Sequence, residues 1–590
     1  MFIDAHDLTH QAVVNADICI VGAGPAGITL ALELGRAGKQ VCLMEAGGLT
    51  ANEESQSVYQ GDIVGLPYTP LEAARIRYFG GTSNHWSGWC WPLDSLDFER
   101  REWIPHSGWP FSREHLDPYY ARAQRFCDIG EKSFSTSDWS SDAEPPLSAE
   151  GMDTHILKFS LPTRFGLKYE AEIGASEAIT CYLNASLTQL NCHENGNSIR
   201  DGRFNIGVTN KAFSVNADKF ILATGGIENA KVLLQSKSVH RNGIGNQNDL
   251  VGRYFADHPG HATGLLLFND PQQNIKLYDY HRRRESLADK ISDGGSMAGF
   301  FSREEDRQAM MAWIEAGADE QVYQREILPI VEQNCLACHS SAGIAFFRNF
   351  ETFAGMREVA LRESIAQSNA TGYSAGLVLS ASEQQKQGVG NARTMIANRA
   401  SWSDVVEEGW LDAIGSILDN FADLTQAAYN RAFAPEAKRT IALMRCSIEQ
   451  IPNPDSRVTL SDEQDALGQP KVKLDWRLSD FDRHTFEQTE RAIGAALGRQ
   501  GLGRVLRQTN FPDTENWADN LNHGWHHMGT TRMHDSPTQG VVDSQCQVHG
   551  VGNLYVSGSS VFPTYGYANP TLTIVALAVR LADQLKANST

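Results

Sequence analysis

The run Asp17 to Val21 (DICIV) is continuously strand-like, and GAGPAG follows it at once. From Ile28 to Ala37 apolar positions recur with a helical period, and Gln40 to Glu45 (QVCLME) is strand-like again. That order predicts a βαβ opening of about 30 residues, its first strand beginning near Asp17. Arg75 to Trp109, rich in glycine and tryptophan, predicts loop. Alternation from Ile179 to Gly225 predicts strands ending in KFILATGG. Leu460 to Phe481 predicts further strands, with turn signals at Asp455–Ser456 and Gly468. Near the C-terminal end, NLYVSG predicts a strand. A loop through Pro563 and Pro570 follows, then an apolar helix from Thr571 to Leu585.

The stretch from about Phe300 to Gly372 breaks this rhythm, being helical in pattern and charged. The phrases MAGFFSREEDRQ and SAGLVLSASEQQ flank it, as an insertion with partly duplicated edges would leave them. The charge runs His281–Glu285 and Arg303–Arg307 read as solvated helix faces. With 590 residues the chain holds several domains, and its net charge of −20 disfavours nucleic acid as a partner. No run reaches the roughly 18 apolar residues of a membrane span. The best candidate, Pro570 to Ala582, is interrupted by Arg580. The N-terminus shows no basic segment followed by an apolar one, so no signal peptide is expected. Ten cysteines are too few for a disulfide scaffold, and Cys19 and Cys42, inside strand runs, are expected to be buried as small hydrophobes.

Gly22, Gly24 and Gly27 form GxGxxG between a strand and a helix. The first permits a tight turn, the second lets backbone approach a pyrophosphate, and the third lets helix and strand pack closely. Glu45, 18 residues beyond Gly27 at the end of the second strand, suits the ribose hydroxyls of a dinucleotide. These residues leave NAD and FAD both open.

The block HGWHHMGTTRM, then GVVD and VHGVGNLYVSGSSVFPTYGYANPTLTIVALAVRLAD, resembles the glucose–methanol–choline (GMC) family of FAD oxidoreductases. So do RYFGGTSNHW, LATGGIENAKVLL and NPDSRVTLSD, in the family's order. The resemblance implies FAD as cofactor and oxidation of a CH–OH donor, an alcohol or sugar. It implies His526 as the base, three residues before Gly529, with His527 the neighbouring alternative. It implies Asn569, six residues after Pro563, as the group that hydrogen-bonds the donor oxygen. Gly80, Gly81, Thr82 and Asn84 would lie along the flavin, with Gly225, Pro570 and Thr571 also at the cofactor. His85 would either bond the flavin covalently, as in some members, or pack over it. Where many members carry an acidic residue this chain has Gly558, which passes the pyrophosphate contact to backbone N–H groups or Ser559.

Cys335-Leu336-Ala337-Cys338-His339 is CxxCH, and REILPIVEQNCLACHSSAG looks like the start of small cytochrome c domains. Two thioethers to Cys335 and Cys338 and axial ligation by His339 would hold haem c. Met356 is the nearest downstream candidate for the sixth ligand, and a core methionine is the other reading. Zinc and thioredoxin-like chemistry lack their usual context here. The fold implied is α/β. A doubly wound, Rossmann-like FAD-binding domain lies beside a mixed-sheet substrate domain with a small helical cytochrome c-like insertion. Residues 1–110, 179–260 and 536–590 would form the first, 111–178, 261–299 and 373–535 the second or its cap, and 300–372 the insertion. The function implied is a dehydrogenase passing electrons through haem to an external carrier. Haem attachment outside the cytoplasmic membrane, without a signal peptide, implies a periplasmic enzyme exported with a small partner subunit. A cytoplasmic flavoenzyme is the alternative location. The rival functions are an oxidase making H₂O₂ and a non-catalytic flavin and haem carrier.

Overall fold

The computed structural model describes residues 1–139, 147–160, 163–270, 308–309, 372–400, 441–507, 517–518 and 521–587. The CLACH motif, Met356, the charge runs, the phrase MAGFFSREEDRQ save its final Gln308, and nearly all of 300–372 lie outside the described residues.

The opening βαβ unit is present. Strand β2 (Val13–Val21) leads through the helix Pro25–Gly35 to β3 (Val41–Met44), which pairs with it in parallel. Two boundaries differ from expectation. Strand β2 begins at Val13 because its first half alternates between exposed and half-buried residues and still pairs with β10 (Ala212–Leu222). A shorter β1 (Phe2–Asp4) precedes it and pairs with β7 (Ile179–Leu183). The sheet runs β1-β7-β3-β2-β10, all parallel, and continues antiparallel through β9 (Ile199–Ile206) and β8 (Ala185–Cys192). Strand β10 is long enough to serve two partners on the edge away from β2. Its first residues pair with β9, and Phe220 to Leu222 pair in parallel with β18 (Leu554–Val556).

Every residue of the helix Pro25–Gly35 from Ala26 to Leu34 is buried, because the helix Thr571–Ala587 covers its outer side. That C-terminal helix is itself buried from Leu572 to Ala582, apart from Ile574. Arg580 is only 4% exposed, its guanidinium over the Phe111 ring and its Nε donating to His115. Among the described residues no helix is long and apolar enough to cross a membrane. Cys19 and Cys42 are buried as expected.

A second sheet orders β17 (Gly503–Arg507), β11 (Gly260–Phe268), β14 (Ile441–Ile448), β13 (Ala392–Ala400), β12 (Gly372–Leu379), β6 (Met152–Phe159) and β5 (Trp89–Cys90). A mixed sheet was expected here, but every described pairing in it is antiparallel. Mixed pairing is found in the small third sheet, where β16 (Pro470–Asp475) joins β15 (Arg457–Gln464) antiparallel and β4 (Gly61–Ile63) parallel. The second sheet has one face against a long helix, with Ile493 and Leu497 packed on Leu266, Ile396 and Met444. Its edge strand β5, with the helical turns Gly81–Asn84 and Ser95–Phe98, lies in the stretch expected to be loop. The long helix, Asp480–Arg499, starts within the stretch expected to be strand. Ser479 and Asp482 form a capping box, which turns the chain into a helix before Phe481.

Candidate active site

Strand ends from the first sheet and loops from the rest of the chain surround a cavity of about 470 Å³. Gly22, Gly24, Glu45, Gly81, Thr82, His85, Gly225, Gly558, Ser559, Asn569, Pro570, Thr571 and His526 all line it. Gly27, Gly80 and Asn84 stand behind the wall. A Cβ on Gly27 would fall 1.8 Å from the Gly22 carbonyl oxygen, so only glycine lets the helix start this close to the turn. Asn84 donates from Nδ2 to the Phe79 carbonyl (2.8 Å) and so pins the Gly80–Gly81 turn from the protein side. Gly24 and Gly225 act in the opposite sense. Among the described residues a Cβ at either would meet no protein atom within 4 Å, so their missing side chains leave the cavity free for a close-lying ligand.

Glu45 is buried, and its carboxylate accepts from the backbone N–H groups of Ala23 (3.0 Å) and Gly47 (2.8 Å). Burial pushes its pKa up, against the pull of those hydrogen bonds. Two of its roughly four acceptor positions are used, which leaves room for ribose hydroxyls. Two buried ion pairs complete this end of the wall, Arg75 with Glu228 (2.6 Å) and Lys231 with Asp465 (2.7 Å). The Ser559 hydroxyl donates to the His527 carbonyl (2.6 Å), tying the Gly558 turn to the HGWHH segment. These residues fit a dinucleotide: open glycine turns, an acidic residue at a strand end and a helix N-terminus facing the cavity.

His526 and Asn569 meet at the cavity edge, the amide Nδ2 3.2 Å from imidazole Nε2. His527 also lines the cavity, its ring packing on Phe255 and Tyr68. His85 stacks on Trp525, with ring centroids 5.7 Å apart. Burial pulls His526 down to about 4, helped by the nearby Arg393 and His527 charges and opposed by Asp257. At neutral pH its imidazole is uncharged and able to take a proton.

Three residues that sequence reasoning missed hold this arrangement. Asp257 is fully buried. It accepts from the backbone N–H groups of His258 (2.7 Å), Trp525 (3.1 Å) and His526 (2.7 Å) and from the Tyr68 hydroxyl (2.6 Å). Burial would raise its pKa, but the His526 and His527 charges and these donors hold it below the usual carboxylate range. His258 places Nδ1 2.9 Å from His526 Nδ1. Glu449 binds Arg101 through two hydrogen bonds (2.7 and 2.8 Å) and accepts from the backbone of Tyr565 and Gly566, the loop that leads to Asn569. No sequence period marks these residues, because each acts across more than 100 positions of chain. Among the described residues no cluster suited to a metal ion is found.

The family profile described as GMC oxidoreductase matches residues 452–578, and one described as FAD binding domain matches residues 15–60. The 2-methyl-1,2-propanediol dehydrogenase of Mycolicibacterium austroafricanum is 22% identical over 638 residues, covering 97% of this chain and 95% of that protein. The fructose dehydrogenase large subunit of Gluconobacter japonicus is 30% identical over 141 residues, 23% of this chain and 24% of that subunit. A solved variant of Aspergillus oryzae formate oxidase superposes with a TM-score of 0.52 at 17% identity, covering 98% of this chain and 99% of that one.

Proposed function

We propose that this chain, a GMC-type FAD-dependent oxidoreductase acting on an alcohol or sugar donor, is a dehydrogenase in which His526 takes the hydroxyl proton. The observation that carries the reading is the uncharged His526 Nε2 beside the Asn569 amide at the edge of the glycine-lined cavity. Bound FAD supplies the hydride acceptor. His526 Nε2 accepts the donor's O–H proton, and the Asn569 amide orients the donor oxygen so that its C–H faces the cavity. A relative matched along most of the chain is named a diol dehydrogenase, which supports this reading, while relatives matched over shorter stretches are named oxidases.

CxxCH at Cys335–His339 is the sequence basis for haem c as the electron exit, with an external carrier beyond it. With it go periplasmic location and a small export partner. The test is anaerobic mixing with a panel of diols, sugars and hydroxylated aromatics, followed by dye and peroxide assays. Purification from the native host and a pyridine haemochrome spectrum complete it. Donor-driven flavin bleaching, dye reduction exceeding peroxide and a c-type band are expected. Stoichiometric peroxide without haem would replace the reading with an oxidase, and no bleaching by any donor would leave a carrier.

His85, on the cavity wall, is proposed to bond the flavin covalently. Acid-precipitated protein is then expected to keep the flavin absorption band in the pellet. Flavin released wholly to the supernatant would leave His85 with packing alone.

A further inference from the structure

We propose that His258 is a positioning residue: its Nδ1 accepts the Nδ1–H of His526 and fixes the tautomer that presents a bare Nε2 to the donor. The inference rests on His526 being the base and explains how that base is kept ready.

A neutral imidazole carries one proton, so which nitrogen holds it is decided by the neighbours. At His526 Nε2 the neighbour is an amide nitrogen, which only donates. Nε2 therefore bears the lone pair, and the proton sits on Nδ1, 2.9 Å from His258 Nδ1. His258 must then accept at Nδ1 and carry its own proton on Nε2. That nitrogen is buried and has no hydrogen-bond partner among the described residues, which is the cost of this tautomer. The reversed pair would put a proton on His526 Nε2, facing the amide, and there would be no base.

The backbone fixes the two rings at this separation. Ala256 and Met528 exchange both of their hydrogen bonds, so residues 256–258 and 526–528 run side by side. Asp257 ties the His258 and His526 amides to one carboxylate oxygen. The rings meet edge to face with centroids 5.0 Å apart. The charged groups acting on them are Asp257, Arg393 and Glu449 on His258, and Asp257, Arg393 and His527 on His526. Burial drives His258 down to about 3, so it stays an uncharged acceptor. Once His526 has taken the donor's proton, the same contact becomes a charge-assisted hydrogen bond and favours the imidazolium.

The test is anaerobic flavin reduction by holoenzyme variants, with FAD content measured in each. His258→Leu is expected to slow reduction about 10- to 100-fold at saturating donor, the size of loss seen when the hydrogen-bond partner orienting a metal-binding imidazole is removed. His258→Asn, whose amide oxygen can stand near the lost Nδ1, is expected to recover most of the rate. In a His526→Ala background His258→Leu is expected to add nothing, because it acts through His526. A merely structural role predicts an additive loss and no rescue by asparagine, and either result overturns the proposal. A second measurement needs no variant at position 258. In histidine-labelled holoenzyme, the nitrogen-15 signals missing from His526→Ala should report a bare Nε2 and a protonated Nδ1. The opposite pattern overturns the proposal. If His526→Ala reduces flavin at the wild-type rate, the base reading itself fails. If only His258→Leu is unimpaired, this inference alone fails.

Discussion

His526→Ala is expected to slow flavin reduction by roughly 10²–10⁴-fold, the usual worth of a positioned general base. The expectation follows from a ring kept uncharged by burial, with Nε2 beside the Asn569 amide. FAD content should stay near that of the wild type. The contact that places residue 526 is its backbone N–H to Asp257, which alanine retains. Anaerobic stopped-flow at saturating donor measures the effect, with bound FAD quantified in parallel. In the wild type the rate should fall as pH drops through about 4, where Nε2 becomes protonated. An alanine variant as fast as the wild type would remove His526 from the chemistry and turn attention to His527, whose ring packs toward Phe255 and Tyr68.

The second large effect concerns stability. Glu449→Gln is expected to lower the unfolding free energy by about 3–5 kcal/mol, since removing one charge of a buried pair strands the other. The side chains of Arg101 and Glu449 are 1% and 0% exposed. The loss should show as a lower midpoint in urea at pH 7, and an unchanged midpoint would refute it. The acid limb tests the sign. Burial would raise the Glu449 pKa, but Arg101 holds it below the ordinary 4.5. Its contribution is therefore complete above pH 4.5 and lost as pH falls through the depressed value. His258, His526 and His527 are held neutral well below their ordinary 6.5. Their contribution is present above 6.5 and fades as pH falls toward about 4. Wild type and variant should share that first decline, and the later carboxylate decline, to which Asp257 and Glu228 also contribute, should be shallower in the variant.

What the sequence made legible was local or carried by motif. The glycine turn and Glu45 could be read because strand, turn and helix follow one another within 30 or so residues. His526 and Asn569 came from resemblance, since no periodicity distinguishes a base from a core histidine. Asp257 and His258 escaped because their meaning is tertiary: 268 residues separate His258 from the ring it faces. The start of the helix at Asp480 escaped for a different reason, since its capping box was hidden behind strand alternation. Gly80 and Asn84 were expected along the flavin, yet they stand behind the cavity wall, where Asn84 pins the Gly80–Gly81 turn, whereas Gly27 packs the helix against the turn as expected.

The divided edge of β10 bears on how the protein is made. Phe220, Ile221 and Leu222 are fully buried in the finished fold, where they pair with Leu554, Tyr555 and Val556. Translation at about 5–20 residues per second takes about 15–70 s to cover the roughly 330 intervening residues. For that time the ribosome-bound chain carries an apolar strand end with no partner on one side, the kind of edge that recruits chaperones and promotes aggregation. Ser559 and Asn569 arrive later still, so the cavity cannot close around its cofactor until synthesis is nearly over. The flavin is thus a late ligand of the nascent chain, and flavin-starved cells should accumulate full-length insoluble protein rather than truncated fragments.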